Sequence, residues 1–197
     1  MGMTVKKASD SLTPTVWLSG KGKIAGIPMG ASVSVTALVN GSVLLDGSVL
    51  NAASSGVRTV AKYAKCLTGT TATSAKVATL GNQFKVGDLV MSKVGGKAYA
   101  ITVIASASGV DTMTIGTAID APLSNGNFIY EAAAEAASNT SALKDTKPEA
   151  ITGTNVLVDS TSNLTVDAWV IATVKAGMIG PLLLTALASN IKPIVEI

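Results

Sequence analysis

The sequence predicts a mainly β protein: an N-terminal extended or hairpin arm, a small β-barrel or sandwich, and a C-terminal β-α-β piece. Three observations predict it. Polarity alternates with a period of two from Ala31 to Val49, as in a strand with one buried face. Turn residues recur roughly every ten positions between Tyr63 and Ala133, the spacing of short strands in a barrel or sandwich. Apolar residues make up 48% of the chain but aromatics only 4%, so it is not disordered by composition, and its bulk comes from Val, Leu, Ile and Ala.

The N-terminal part, 1–58, reads as an arm. Residues 10–30 are irregular, with a proline-marked turn at Pro14 and a Gly-rich connector at Gly20-Lys21-Gly22-Lys23. That connector lacks the P-loop spacing of four residues between its first Gly and a Gly-Lys-Ser/Thr end. From Ala31 the odd positions are apolar or Gly. The even face carries Leu38, Leu44 and Leu50, and the hexad Gly41-Ser42-Val43-Leu44 returns as Gly47-Ser48-Val49-Leu50. Two readings are open. Asn40-Gly41 and Asp46-Gly47 suit hairpin turns, because both pairs adopt positive φ readily. Alternatively the segment is an extended strand wrapped with copies from neighbouring subunits, since a lone strand cannot bury its own apolar face. In either case part of it is expected at a subunit interface, formed by Val33, Val35, Leu38, Val43, Leu44, Val49 and Leu50. Residues 52–58 read as a linker.

The unit at 59–133 is the predicted small barrel. Its strands fall at Ala72–Ala78, around Leu89-Val90, at Lys97–Ala105, at Thr112–Ile115 and at Phe128-Ile129-Tyr130. Its turns are Gly87-Asp88, Gly95-Gly96, Ser108-Gly109 and Ser124–Asn127. The Ala-rich stretch 131–142 suits a short helix or a spacer, and 134–148 is assigned as a linker ending at Pro148. The segment 149–197 is read as an α+β oligomerisation or attachment piece. It has strands near Val156–Val158 and Leu164–Val174, a helix from Met178 to Ser189 with Pro181 in its first turn, and a last strand at Ile194–Ile197.

Composition restricts the chemistry. Charged residues are 14% of the chain, against about 25% in an ordinary soluble protein, a surface more suited to assembly. Histidine is absent, which removes the commonest general base and metal ligand. The single cysteine, Cys66, has no partner for a disulfide and reads as a buried apolar residue. The carboxylates fall mostly at predicted turns, where Asp bonds the backbone. A carboxylate-pair hydrolase needs two of them to converge and stands as a remote alternative. No catalytic, cofactor-binding or metal-ligating residue is assigned, and no cofactor is expected. The net charge is +3. Its lysine pairs, Lys6-Lys7, Lys21/Lys23 and Lys62/Lys65, are dispersed and read as solvated, so no nucleic-acid partner is expected. The apolar stretch Val166–Ser189 is broken by Asp167, Lys175, Gly177, Gly180 and Pro181, and no membrane partner is expected.

The stretch from Ala64 to Glu131 carries a resemblance. Its pieces are Ala64–Gly69, Phe84–Val90, Ala100–Ile104, Asp111–Ile115 and Gly126–Glu131. The pattern resembles the small β-barrel unit of head fiber proteins of tailed bacteriophages. Glu149–Val156 and Val166–Ile171 resemble the stretch that follows that barrel, so the likeness covers most of 60–197. It implies an oligomeric virion protein on the outer capsid. No binding site carries over residue by residue.

The expectation is a structural virion protein, a head fiber or capsid decoration protein rather than an enzyme, acting by self-association and capsid binding. Its partners would be further copies of itself, a trimer by preference, and the major capsid protein. Its place would be the capsid exterior, after assembly in the host cytoplasm. The alternative is a virion-borne host-surface or carbohydrate-binding module, with Trp17, Trp169, Tyr63, Tyr99 and Tyr130 as the candidate stacking platforms.

Overall fold

The computed structural model describes residues 16–17, 25–120, 123–174, 177–190 and 195–196. The predicted Pro14 turn and the Gly20–Lys23 connector lie outside them. Along the chain come β1 (Val16–Trp17), β2 (Ala25–Gly26), β3 (Ala31–Val33), β4 (Val43–Leu44), β5 (Val49–Asn51) and β6 (Val57–Arg58). Then follow β7 (Tyr63–Lys65), β8 (Ser74–Ala78), β9 (Leu89–Met91), β10 (Ala98–Ala107), β11 (Val110–Ile115) and β12 (Phe128–Glu131). The last group is β13 (Pro148–Thr152), β14 (Val156–Leu157), β15 (Leu164–Val166), β16 (Ala168–Ile171), β17 (Thr173–Val174), α1 (Pro181–Asn190) and β18 (Val195–Glu196). The protein is mainly β, as the alternation predicts.

The middle group forms one six-stranded sheet in the order β7-β12-β9-β10-β11-β8. Strands β10 and β11 are a hairpin closed by Ser108 and Gly109, at φ of 51° and 76°, the positive pair of a two-residue turn. The sheet curls but does not close into a barrel. Its end strands approach where the Leu67 N–H donates to the Lys76 carbonyl at 2.8 Å. The next rung is taken by a side chain, because the Lys76 N–H donates to the Thr70 hydroxyl at 3.0 Å. Cys66, Phe84, Ile101, Met113 and Ile129 fill its interior.

The segment 1–58 is not a free arm. Strand β3 pairs with β15, β4 with β14, β5 with β13 and β2 with β16. The start and end of the chain therefore build one layered body of small sheets, into which 59–133 is inserted. The separate C-terminal piece of the sequence reading merges with the arm, because each carries short strands with one apolar face and the two sets cover each other. Between β3 and β5 the predicted turns do form. Gly41 and Gly47 have φ of 76° and 77°, and the Ser42 and Ser48 N–H groups donate to the Val39 and Leu45 carbonyls. They do not make a hairpin, because β3, β4 and β5 each pair with a different later strand.

Two further expectations change. Residues 52–58 are not a linker. Ser54 bridges Val57 around Ser55 and Gly56, and Leu50 bridges Val60, so β5 and the following residues form a tight hairpin. The stretch 131–142 is neither helix nor spacer. The Ala132 N–H donates to the Leu89 carbonyl and the Ala136 N–H to the Ala98 carbonyl, so sheet bonds claim the backbone groups a helix would need. This also ties down the predicted linker 134–148. The predicted C-terminal helix is present as α1, with Leu183 and Leu187 buried against Ile151 and Ile179.

Candidate functional site

The seven residues expected at a subunit interface are largely occupied within the chain. Val33, Val35, Leu38, Leu44, Val49 and Leu50 are buried, and Val43 is half-buried. Leu38, Leu44 and Leu50 share a core with Ala150, Val158, Leu164 and Val166. The partner that the leucine stripe requires is supplied by strands from the far end of the same chain, which no local pattern announces.

The densest chemistry lies at the junction of the inserted unit with the outer body. Lys62, just before β7, has a side chain only 1% exposed, and its ammonium lies 2.6 Å from Asp88 Oδ2 and 3.9 Å from Glu131 Oε1. Glu131 also accepts from Lys144 Nζ at 2.6 Å. Sheet order places these groups. Glu131 ends β12, which lies between β7 and β9. The Glu131 N–H donates to the Lys62 carbonyl, and Asp88 stands one residue before β9. The Lys85 N–H donates to Asp88 Oδ2 at 2.7 Å, so the predicted Gly87-Asp88 turn also holds a half-buried carboxylate. Lys62 is thus not the solvated lysine the sequence suggests. The available signal was its position in an apolar run, Val60-Ala61-Lys62-Tyr63-Ala64.

Asp145 sits beside this cluster, and its pKa is pushed up to about 6 by burial and by the Glu131 charge, against Lys144, Asn51 and Lys62. Burial opposes the charge of Lys144, but the hydrogen bond and charge of Glu131, with Asp88 and Asp145 beyond, raise its pKa. Two carboxylates, Glu131 and Asp145, do converge here. Glu131 belongs to an ion-pair network, and neither carboxylate lines the cavities beside Tyr63, Asp111 or Leu182. Among those residues no group of three or more Cys, Asp or Glu side chains is placed to hold a metal ion.

A second polar cluster centres on buried Asp111. It accepts from Thr79 Oγ1 and Asn82 Nδ2, both at 2.7 Å. Burial raises its pKa, but hydrogen bonds from Asn82, Ser106 and Thr79 outweigh this and hold it below the ordinary carboxylate value. Asp111 floors a groove of about 730 Å³ whose walls include Val39, Val43, Leu80, Val86 and Ile104. Cys66 is buried, and burial pushes its thiol up to about 11 against a hydrogen bond with Thr70, so it is a poor nucleophile.

Of the candidate stacking platforms, Tyr63 and Tyr130 flank Phe128, with ring centroids 6.3 and 6.4 Å apart. Lys65 Nζ stands 5.8 Å from the Phe128 centroid. Tyr99 packs on the six-stranded sheet core and Trp169 on the core beneath α1. The side chain of Trp17 lies outside the described residues. The chain matches no known protein family, no curated protein and no solved structure.

Proposed function

We propose that this chain is a structural virion protein, a head fiber or decoration protein on the outside of a tailed-phage capsid. It acts by self-association, with a trimer as the favoured state, and by contact with the major capsid protein. It assembles in the host cytoplasm and remains on the capsid exterior. The observation that supports the reading is the apolar surface of a chain with so few charges. Val86 and Leu157 are 61% and 64% exposed, and Val94 and Val103 are also exposed. Val103 and Leu157 lie on strands β10 and β14, and Val86 and Val94 on turns; apolar groups left in water are suited to a protein partner. Self-association, on this reading, uses that outer surface and not the buried stripe at 33–50. Sedimentation across a concentration series, followed by co-sedimentation with capsids, tests it. A chain that stays monomeric at high concentration and leaves capsids bare ends the proposal.

One observation favours the second reading, a host-surface or carbohydrate-binding module. Tyr63, Phe128 and Lys65 line a cavity of about 300 Å³ with Asp46 and Ser48, an aromatic wall beside polar groups of the kind sugar rings stack on. A glycan array without hits removes it.

A further inference from the structure

We propose that Lys62 and Asp88 join in an intramolecular isopeptide bond, with Glu131 as the group that moves the proton. The inference does not rest on the proposed function. It starts from a lysine whose side chain is 1% exposed, facing an aspartate at 2.6 Å and a glutamate that is itself only 5% exposed at 3.9 Å. Burying a lysine ammonium is costly even when it is paired. Converting the pair to a neutral amide removes two charges from the interior.

The sheet supplies the alignment. Lys62 stands beside Glu131 across the β7–β12 ladder, as the Glu131 N–H bond to the Lys62 carbonyl at 3.0 Å shows. Glu131 pairs with Val90 on its other side, and Asp88 lies two residues from Val90, so the three side chains converge from neighbouring strands. The Lys85 N–H fixes the Asp88 carboxyl. Lys144 Nζ donates to Glu131 Oε1 at 2.6 Å and holds that carboxyl in place beside Lys62. Reacting groups held this close in a water-poor site need no external activation to meet.

The step balances without any co-reactant. Lys62 passes one proton to Asp88, leaving a neutral amine beside a neutral carboxyl. The Lys62 nitrogen attacks Asp88 Cγ and the C–N bond forms. Glu131 takes a proton from that nitrogen and delivers it to the departing hydroxyl. The C–O bond breaks and water leaves. An ammonium and a carboxylate become one amide and one water, and Glu131 is restored.

The test is the intact mass of the folded full chain, denatured after prolonged incubation at neutral pH. The expected mass is lower than that of the sequence by one water, about 18 Da. Proteolysis should give one branched peptide joining Lys62 to Asp88, with no tryptic cut after Lys62. Asp88→Ala and Glu131→Gln chains that keep the wild-type circular dichroism spectrum should show the full mass. A wild-type chain at full mass overturns the proposal whatever the variants do. A water loss mapped to another position also overturns it. A folded Glu131→Gln chain that still cross-links fully removes the role given to Glu131.

Discussion

Leu50 pairs with Ala150 on one side and bridges Val60 on the other, and its side chain is fully buried between them. This one residue joins the N-terminal strand, the hairpin that follows it and the C-terminal strand β13. The outer body therefore folds only when both ends of the chain come together.

Leu50→Ala should accordingly cost about 3 kcal/mol of stability, the usual loss for a leucine truncated in a packed core. Leu44→Ala should behave alike. Urea unfolding measures the loss. Sedimentation should show the same oligomeric state as wild type, because the stripe is buried within one chain. A variant that dissociates without losing stability would return these leucines to a subunit interface.

Asp145 should make stability depend on pH. Its folded pKa, about 6, lies above the ordinary value of 3.8, so the folded chain holds the proton more tightly. The stability this contributes is present below the ordinary value and is lost as pH rises from about 4 through 6. Asp145→Asn should raise stability at pH 7 by about 1–2 kcal/mol, a figure discounted for partial exposure. It should also flatten the profile. Thermal unfolding at several pH values measures both.

Asp111 should act in the opposite sense. Its pKa is held down, so its contribution is present above the ordinary carboxylate value and is lost as pH falls through the lowered one. Asp111→Ala leaves the Asn82 amide and the Thr79 hydroxyl without their acceptor, a loss of about 2–3 kcal/mol. Asp111→Asn, which keeps one acceptor, should lose less in the same denaturation assay.

Gly30 and Gly126 should separate crowding from backbone strain. Both have positive φ, but a Cβ at Gly30 would stand 2.6 Å from the Val166 carbonyl oxygen, whereas nothing lies within 4 Å at Gly126. Gly126→Ala should cost about 1 kcal/mol, the strain of a left-handed alanine. Gly30→Ala should cost clearly more, because the β3–β15 pairing beside it must shift. Equal losses in parallel melts would mean that the β15 backbone yields freely.

The inserted unit was the most legible part of the chain. Ser108-Gly109 and Gly95-Gly96 are local turn chemistry, and the strands they join lie close in sequence, so the β9–β10–β11 order follows from short-range signals. The leucine hexad was legible as a demand for cover. What covers it was not, because β13, β14 and β15 lie far along the chain, and an apolar strand face does not encode which partner meets it. The same holds for the buried charges. Lys62, Asp88 and Glu131 are dispersed in sequence, and each looks ordinary where it stands.

The sequence by itself determined the β class, most turns, the helix after Pro181 and the apolar faces that require burial. These depend on the dihedral preferences of one or two residues and on a repeat of two, both of which are local. Only the tertiary structure decided that the N-terminal and C-terminal strands cover each other, that the sheet stops short of a barrel, and that one buried lysine meets two carboxylates. Those outcomes depend on which distant surfaces exclude water together, a property of the assembled layers and not of any segment.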